Sequence, residues 1–174
     1  MTAFKNASPP AAFDTARAER TFASLAAEGF VPSEAERPIL AAAFGNSPFL
    51  ARLALREHSL LSPLLREGPQ VIVDAAKKQA LAAALAETQV EAMSQLRIAK
   101  RRAALAIALA DIAGDWKLED VTRALSEFAD AAVKGALRFV LRDGAEKADL
   151  AERDGERLEA MTGLTVLAMG KYGA

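Results

Sequence analysis

Leu164-Thr165-Val166-Leu167-Ala168-Met169-Gly170-Lys171-Tyr172-Gly173-Ala174 closes the sequence with a pattern found nowhere upstream. An uncharged apolar and β-branched run leads directly into a Gly-Lys-Tyr-Gly turn. A short buried strand running into a glycine turn is how many phosphate-handling α/β domains begin. One strand leaves its backbone donors and acceptors without partners, so it cannot stand as a domain. The expected architecture is therefore an all-α helical bundle carrying the first strand of a second, truncated α/β domain over 164–174.

Immediately upstream, residues 145–163 are dense in charge, with Glu146, Lys147, Asp149, Glu152, Arg153, Asp154, Glu156, Arg157 and Glu159. That density reads as a solvated linker with some helical content. Residues 14–144 read as helix after helix. Val121, Leu125, Phe128, Ala132, Ala136, Phe139 and Val140 form the apolar face of a helix from about Leu118 to Arg142, ended by Asp143-Gly144. Gly135 inside it marks a close helix crossing. From Gln70 to Ala113 there is neither Gly nor Pro. One helix of that length would be unusual, and Thr88-Gln89-Val90-Glu91 has the capping-box pattern. The spacing thus predicts one helix over 70–86 and another over 89–113, closed by Gly114.

Ser47-Pro48 opens a helix with Phe49, Leu50, Leu53 and Ala54 on its apolar stripe. A short helix carrying Leu60, Leu61, Leu64 and Leu65 follows and ends at Gly68-Pro69. Another helix is expected from Pro38 to Gly45. The first runs from Asp14 or Thr15 to about Glu28, with Phe22, Leu25 and Ala26 on one side and Gly29 as its stop. Residues 1–13 are expected as a loose arm.

Composition agrees with close-packed helices: 52% of the 174 residues are hydrophobic and only 6% aromatic. A chain of this length buries about 70% of its unfolded surface on folding. With 22 Lys+Arg against 23 Asp+Glu, the net charge of −1 excludes an overall polyanion-binding excess. There is no Cys, hence no disulfide framework and no thiolate metal site, which suits a reducing cytoplasm. Met1–Pro10 lacks the apolar core of a signal peptide. The longest apolar run, Ala103 to Ala110, is eight residues, far short of a membrane span.

Few residues point to chemistry. A Walker loop needs two glycines separated by four residues, then Lys and Ser or Thr, so that amides wrap the phosphates. Gly163 and Gly170 are separated by six residues and Tyr172 follows Lys171, so that motif is absent. What remains is a strand–glycine turn with a lysine, a pattern shared with ordinary turns. Arg97, Lys100 and Arg101 lie at i, i+3 and i+4 on one helical face, a positive stripe open to phosphate or an acidic partner, although such runs are also plain solvated faces. Glu91 is too far upstream to pair with Arg97 within its own turn. His58, the only histidine, reads as a capping or surface residue and makes no metal site. Trp116 is expected to pack against helix ends at its turn. The acidic residues of 145–160 lack the spacing and burial of an acid–base pair.

Three stretches in series carry a resemblance: Phe44-Gly45-Asn46-Ser47-Pro48-Phe49-Leu50; Leu96-Arg97-Ile98-Ala99-Lys100-Arg101-Arg102 running to Ala110-Asp111-Ile112-Ala113-Gly114; and Leu167-Ala168-Met169-Gly170-Lys171-Tyr172-Gly173. From about Ala16 to Ala174 the sequence resembles the N-terminal part of the bifunctional glutamine synthetase adenylyltransferase/adenylyl-removing enzyme family. The resemblance implies two nucleotidyltransferase modules in one chain. The N-terminal module removes AMP from glutamine synthetase by phosphorolysis and the C-terminal one attaches AMP from ATP, under a PII signalling protein and glutamine. It further implies that Gly170, Lys171 and Gly173 approach nucleotide phosphates and that an Asp-x-Asp pair shortly beyond holds magnesium, neutralising charge on the reacting phosphate. No such pair occurs in the 174 residues, so a fragment inactive by itself is expected, with no metal or cofactor of its own. Ala174 stands where the family more often has glycine. Ala99, Ala103, Ala106 and Ala110 thin the positive face of a helix that is often arginine-rich in the family. The contrasting expectation is a free-standing helical protein-interaction module whose terminal strand augments a partner sheet.

Overall fold

The computed structural model describes residues 3–4 and 8–167. These form eight α-helices: α1 (Thr15–Ala27), α2 (Arg37–Asn46), α3 (Pro48–Arg56), α4 (His58–Glu67), α5 (Pro69–Ala82), α6 (Gln89–Ala113), α7 (Leu118–Lys147) and α8 (Gly155–Thr162), with a 3-10 turn at Ala83–Leu85. The fold is a helical bundle, and there is no strand among the described residues. Leu164–Leu167, expected to open a strand, belong to neither helix nor strand. The described chain offers no neighbouring strand to pair with them. The rest of that stretch, residues 168–174, lies outside the described residues.

Tertiary contacts divide the helices into two units. The first takes the residues up to Ala76 together with Lys100–Leu125; the second takes Lys77–Ala99 and the residues from Ser126 onward.

In the first unit the helix starts and stops follow local chemistry. The Asp14 carboxylate accepts the Arg17 N–H at 2.7 Å and caps α1. The Arg17 guanidinium donates to the carbonyls of Phe44 (2.8 Å) and Gly45, so a cation satisfies the open C-terminal end of α2. Helices α2 to α5 are joined by single residues. Ser47 closes α2 by donating its N–H to the Ala43 carbonyl (3.0 Å) and opens α3 by accepting the Leu50 N–H on Oγ (3.2 Å). Glu57 donates its N–H to Leu53 (2.9 Å) and accepts from Leu60 (2.8 Å) on its carbonyl. Gly68, at φ 98°, ends α4 in a conformation that side chains resist, and Pro69 starts α5 where no N–H is needed. Phe22 meets Phe44 edge-on, with ring centroids 5.4 Å apart, and Leu25, Leu40, Leu61 and Leu64 of the same unit are fully buried.

Two expectations for this unit are corrected. Residues 1–13 are not a loose arm at their described positions. Phe4 is 2% exposed, Ala3 donates to the Leu65 carbonyl (2.7 Å), Ser8 donates to Ala113 (3.0 Å), and the Asn46 side chain holds both Ala11 and Phe13. Burial of one aromatic ring and backbone pairing outweigh the entropy of this segment. On α1 the buried side is Ala18, Thr21, Phe22 and Leu25, leaving Ala26 exposed.

In the second unit Gly135 of α7 lies against α5. A Cβ there would fall well inside contact distance of the Ala80 carbonyl oxygen, 3.0 Å from its carbon and 3.3 Å from Leu81 Cα. The expected close crossing is therefore present. It also rotates α7 away from the expected register: Val121, Ala124, Phe128, Ala131, Gly135 and Phe139 are buried, whereas Leu125 and Val140 are 49% and 61% exposed. The helix runs past Asp143-Gly144 to Lys147, with Ala145 buried, and closes through Leu150 N–H on the Ala145 carbonyl (2.9 Å). Ala86, Ala92 and Phe139 form a small core, and the Arg142 guanidinium donates to the Ala86 carbonyl and sits 5.7 Å from the Phe139 ring centre.

Candidate functional site

The helical part of the charged segment after α7 is α8. Asp154 caps α8, its carboxylate accepting the N–H groups of Glu156 and Arg157, both at 2.9 Å. Those bonds, the one from Arg157 foremost, hold the Asp154 carboxyl below its ordinary pKa. Gly155 lets α8 start against α7, because a Cβ there would sit 2.9 Å from the Arg138 carbonyl oxygen. Arg138 secures the contact: its Nε donates to Glu159 (2.7 Å), and a terminal nitrogen lies 3.2 Å from Glu156. The bond to Glu159, followed by the charge of Glu156, raises the Arg138 pKa above its usual value despite the opposing effect of burial.

Beside this contact, α7, α8, the end of α5 and Leu164–Val166 enclose a groove of about 540 Å³. Leu81, Val133, Leu137, Leu164 and Val166 supply apolar walls, while Asp130, Lys134 and Glu159 supply charge. Thr165 lines the same groove. The apolar walls and separated charges suit a ligand or a chain segment and do not amount to a reaction centre. Among the described residues no group of three His, Asp or Glu side chains comes together to hold a metal ion.

The predicted phosphate-side residues Gly170, Lys171 and Gly173 lie outside the described residues; the described chain leads to them through this groove's Leu164–Val166. The predicted basic stripe is divided. Arg97 is exposed in the second unit, and Lys100 is exposed in the first. Arg101 instead donates Nε to the Glu57 carboxylate at 2.5 Å, with Arg102 Nε 3.4 Å from the other oxygen. Glu57 is 6% exposed, so its charge needs these partners. The pairing that a local search around Arg97 fails to find comes from a residue 44 positions away. Glu57 and Arg138 were both missed. The one legible hint was a single acidic residue set between two leucine-rich helices. His58 is a part-exposed junction residue, its Nδ1 3.3 Å from the Leu55 carbonyl.

The stretch Phe44–Leu50 also has a structural reading. A Cβ on Gly45 would meet Ala12 Cβ at 2.6 Å and the Asp14 carbonyl oxygen at 3.2 Å, so the N-terminal segment docks here. Comparison with known proteins agrees with the three stretches singled out above: the family model for glutamate-ammonia ligase adenylyltransferase matches residues 38–174. The chain belongs to this adenylyltransferase family. The bifunctional glutamine synthetase adenylyltransferase/adenylyl-removing enzyme of Bradyrhizobium sp. (strain BTAi1) is 40% identical over 139 residues, covering 79% of this chain and 14% of that protein. The enzyme of the same name from Xanthobacter autotrophicus (strain Py2) is 39% identical over 129 residues, 74% of this chain and 13% of its own length. That from Agrobacterium fabrum (strain C58) is 36% identical over 169 residues, 92% of this chain and 16% of its own. This adenylyltransferase-family chain thus spans only a small part of the length of the relatives it matches. No solved structure gives a significant match. Among the described residues no helix is long and apolar enough to cross a membrane.

Proposed function

We infer that this chain is the helical N-terminal part of a cytoplasmic enzyme that adenylylates and de-adenylylates glutamine synthetase, adjoining the module that removes AMP by phosphorolysis. The observation that carries the reading is the family match, which extends from α2 through the Gly-Lys-Tyr-Gly stretch. The names of the relatives supply the substrate protein. The helices hold the nucleotidyltransferase module in place, and Gly170, Lys171 and Gly173 approach the nucleotide phosphate, the lysine as a compact cation on the transferring group. ATP, ADP and phosphate are the small-molecule ligands of the intact enzyme. Magnesium, when bound by an Asp-x-Asp pair beyond these residues, neutralises phosphate charge. A PII signalling protein is the regulatory partner.

The test is phosphate-dependent ADP release from adenylylated glutamine synthetase. It compares the 174-residue chain with a chain extended through the Asp-x-Asp pair of a relative. The shorter chain is expected to be inactive and the longer one active, with Lys171→Ala lowering turnover about 100-fold. Turnover by the shorter chain, or indifference of the longer one to Lys171→Ala, overturns the reading.

A further inference from the structure

In the first unit, α1 and α3 leave between them a shallow groove of about 220 Å³. Pro48, Ala51 and Leu55 line it from α3, and three guanidinium groups belong to it: Arg17, Arg20 and Arg52. No carboxylate lines it. Arg17 is held in place by Asp14, 3.1 Å away, and by the end of α2. Arg20 and Arg52 are exposed, and neither has an acidic partner among the described residues. In a chain of net charge −1, the two cations Arg20 and Arg52 gathered beside the Asp14-paired Arg17 in one apolar-floored groove are a local excess of positive charge. On the solvent side of α3, Phe49 is 56% exposed three residues before Arg52, and Arg56 continues the same face. Arginine beside an exposed aromatic ring is a pairing enriched at protein interfaces. Nucleic acid requires a longer run of cations, since its affinity grows with the number of phosphates neutralised.

We propose that the α1–α3 groove docks an acidic segment of a partner protein, whose carboxylates pair with Arg20 and Arg52 while an apolar side chain rests on Ala51 and Leu55. The site does not depend on the nucleotidyltransferase reading and is assayed without nucleotide or glutamine synthetase. The probe is a short fluorescein-labelled peptide of glutamate and leucine, titrated with the 174-residue chain and followed by anisotropy. Parallel arms use the same peptide with glutamine for glutamate, a labelled single-stranded oligonucleotide, and inorganic phosphate as competitor. The acidic peptide is expected to bind, more weakly as salt rises. The double variant Arg20→Gln/Arg52→Gln should weaken it about tenfold, as two exposed charge pairs together supply. Arg66→Gln, a cation on α4 outside the groove, should leave binding unchanged. Both arginines of the double variant are exposed, and an unchanged thermal melt confirms that it folds. Absence of peptide binding, equal binding by the double variant, equal binding of the glutamine peptide, or binding of the oligonucleotide in its place overturns the proposal.

Discussion

Substituting Gly135 by alanine sets two known effects against each other, and the geometry of α7 decides which wins. In a helix interior, alanine is favoured over glycine by about 1 kcal/mol, largely because the unfolded chain loses freedom. At Gly135 the added Cβ falls on the Ala80 carbonyl oxygen, 3.0 Å from its carbon and 3.3 Å from Leu81 Cα. All of these are backbone atoms that no rotamer change can move. Carbon–oxygen contacts settle at about 3.3–3.6 Å, so α5 and α7 must part by on the order of 1 Å. A gap of that size forfeits a quarter to a half of each dispersion contact around it, and overpacking of a tight site costs about 3 kcal/mol. The net expectation for Gly135→Ala is a destabilisation of about 2 kcal/mol, a fall in melting temperature of about 4–8 °C. Gly144, near the end of the same helix, has no atom within 4 Å of its virtual Cβ. Gly144→Ala therefore keeps only the favourable part and should gain about 0.5–1 kcal/mol. Urea unfolding followed by far-ultraviolet circular dichroism places the two midpoints on opposite sides of the parent. A Gly135→Ala protein as stable as the parent or more so refutes the close-crossing argument.

Glu57→Gln removes the charge that Arg101 and Arg102 neutralise in a buried setting. It should cost about 3 kcal/mol by urea unfolding, the low side of what breaking a buried pair costs, because Arg101 keeps partial solvent access. Phe4→Ala should cost about 3 kcal/mol, as for other buried rings; a melt indistinguishable from the parent would restore the loose arm. Asp154→Ala should release the start of α8, read as faster amide exchange over residues 155–162. Because the folded Asp154 pKa lies below its unfolded value, this capping contribution is complete above the unfolded value and disappears as pH falls through the folded one. The Arg157 amide resonance should shift on acidification in the parent and much less in Asp154→Asn, which caps without titrating.

Helix punctuation was legible in the sequence wherever it rests on local chemistry. Ser47-Pro48, the Thr88–Glu91 capping box and Gly114 all mark boundaries that the structure keeps, and Thr88 Oγ1 accepts the Glu91 N–H at 3.2 Å. What local reasoning lost was set by distant neighbours. The expected stripe of α7 holds at Val121, Phe128 and Phe139 but fails at Leu125 and Val140, because the close approach of the Ala80 carbonyl at Gly135 sets the buried side. Arg101 looked like part of an unpaired basic face because its carboxylate comes from the α3–α4 joint. The Asp154-Gly155-Glu156 start of α8 was masked by the surrounding charge. Of the candidate site, Arg97 and Lys100 sit on the surface as the helical pattern implies, whereas nothing in the spacing of Arg138 announces its hold on α8.

The single-residue joints at Ser47, Glu57 and Gly68 leave α2 to α5 without slack. Each joint ends one helix and either starts the next itself or hands directly to its first residue, so fraying at one end propagates into the neighbour. An extra residue inserted at any of these points has no loop to take it up, so it would displace the start of the next helix and shift that helix's buried side chains off their seats. The four-residue connection 114–117 between α6 and α7 is longer than any of these joints and is the better place to accept the same insertion. Length changes in this part of the chain are therefore confined by geometry to a few permissive turns, whatever amino acid is inserted.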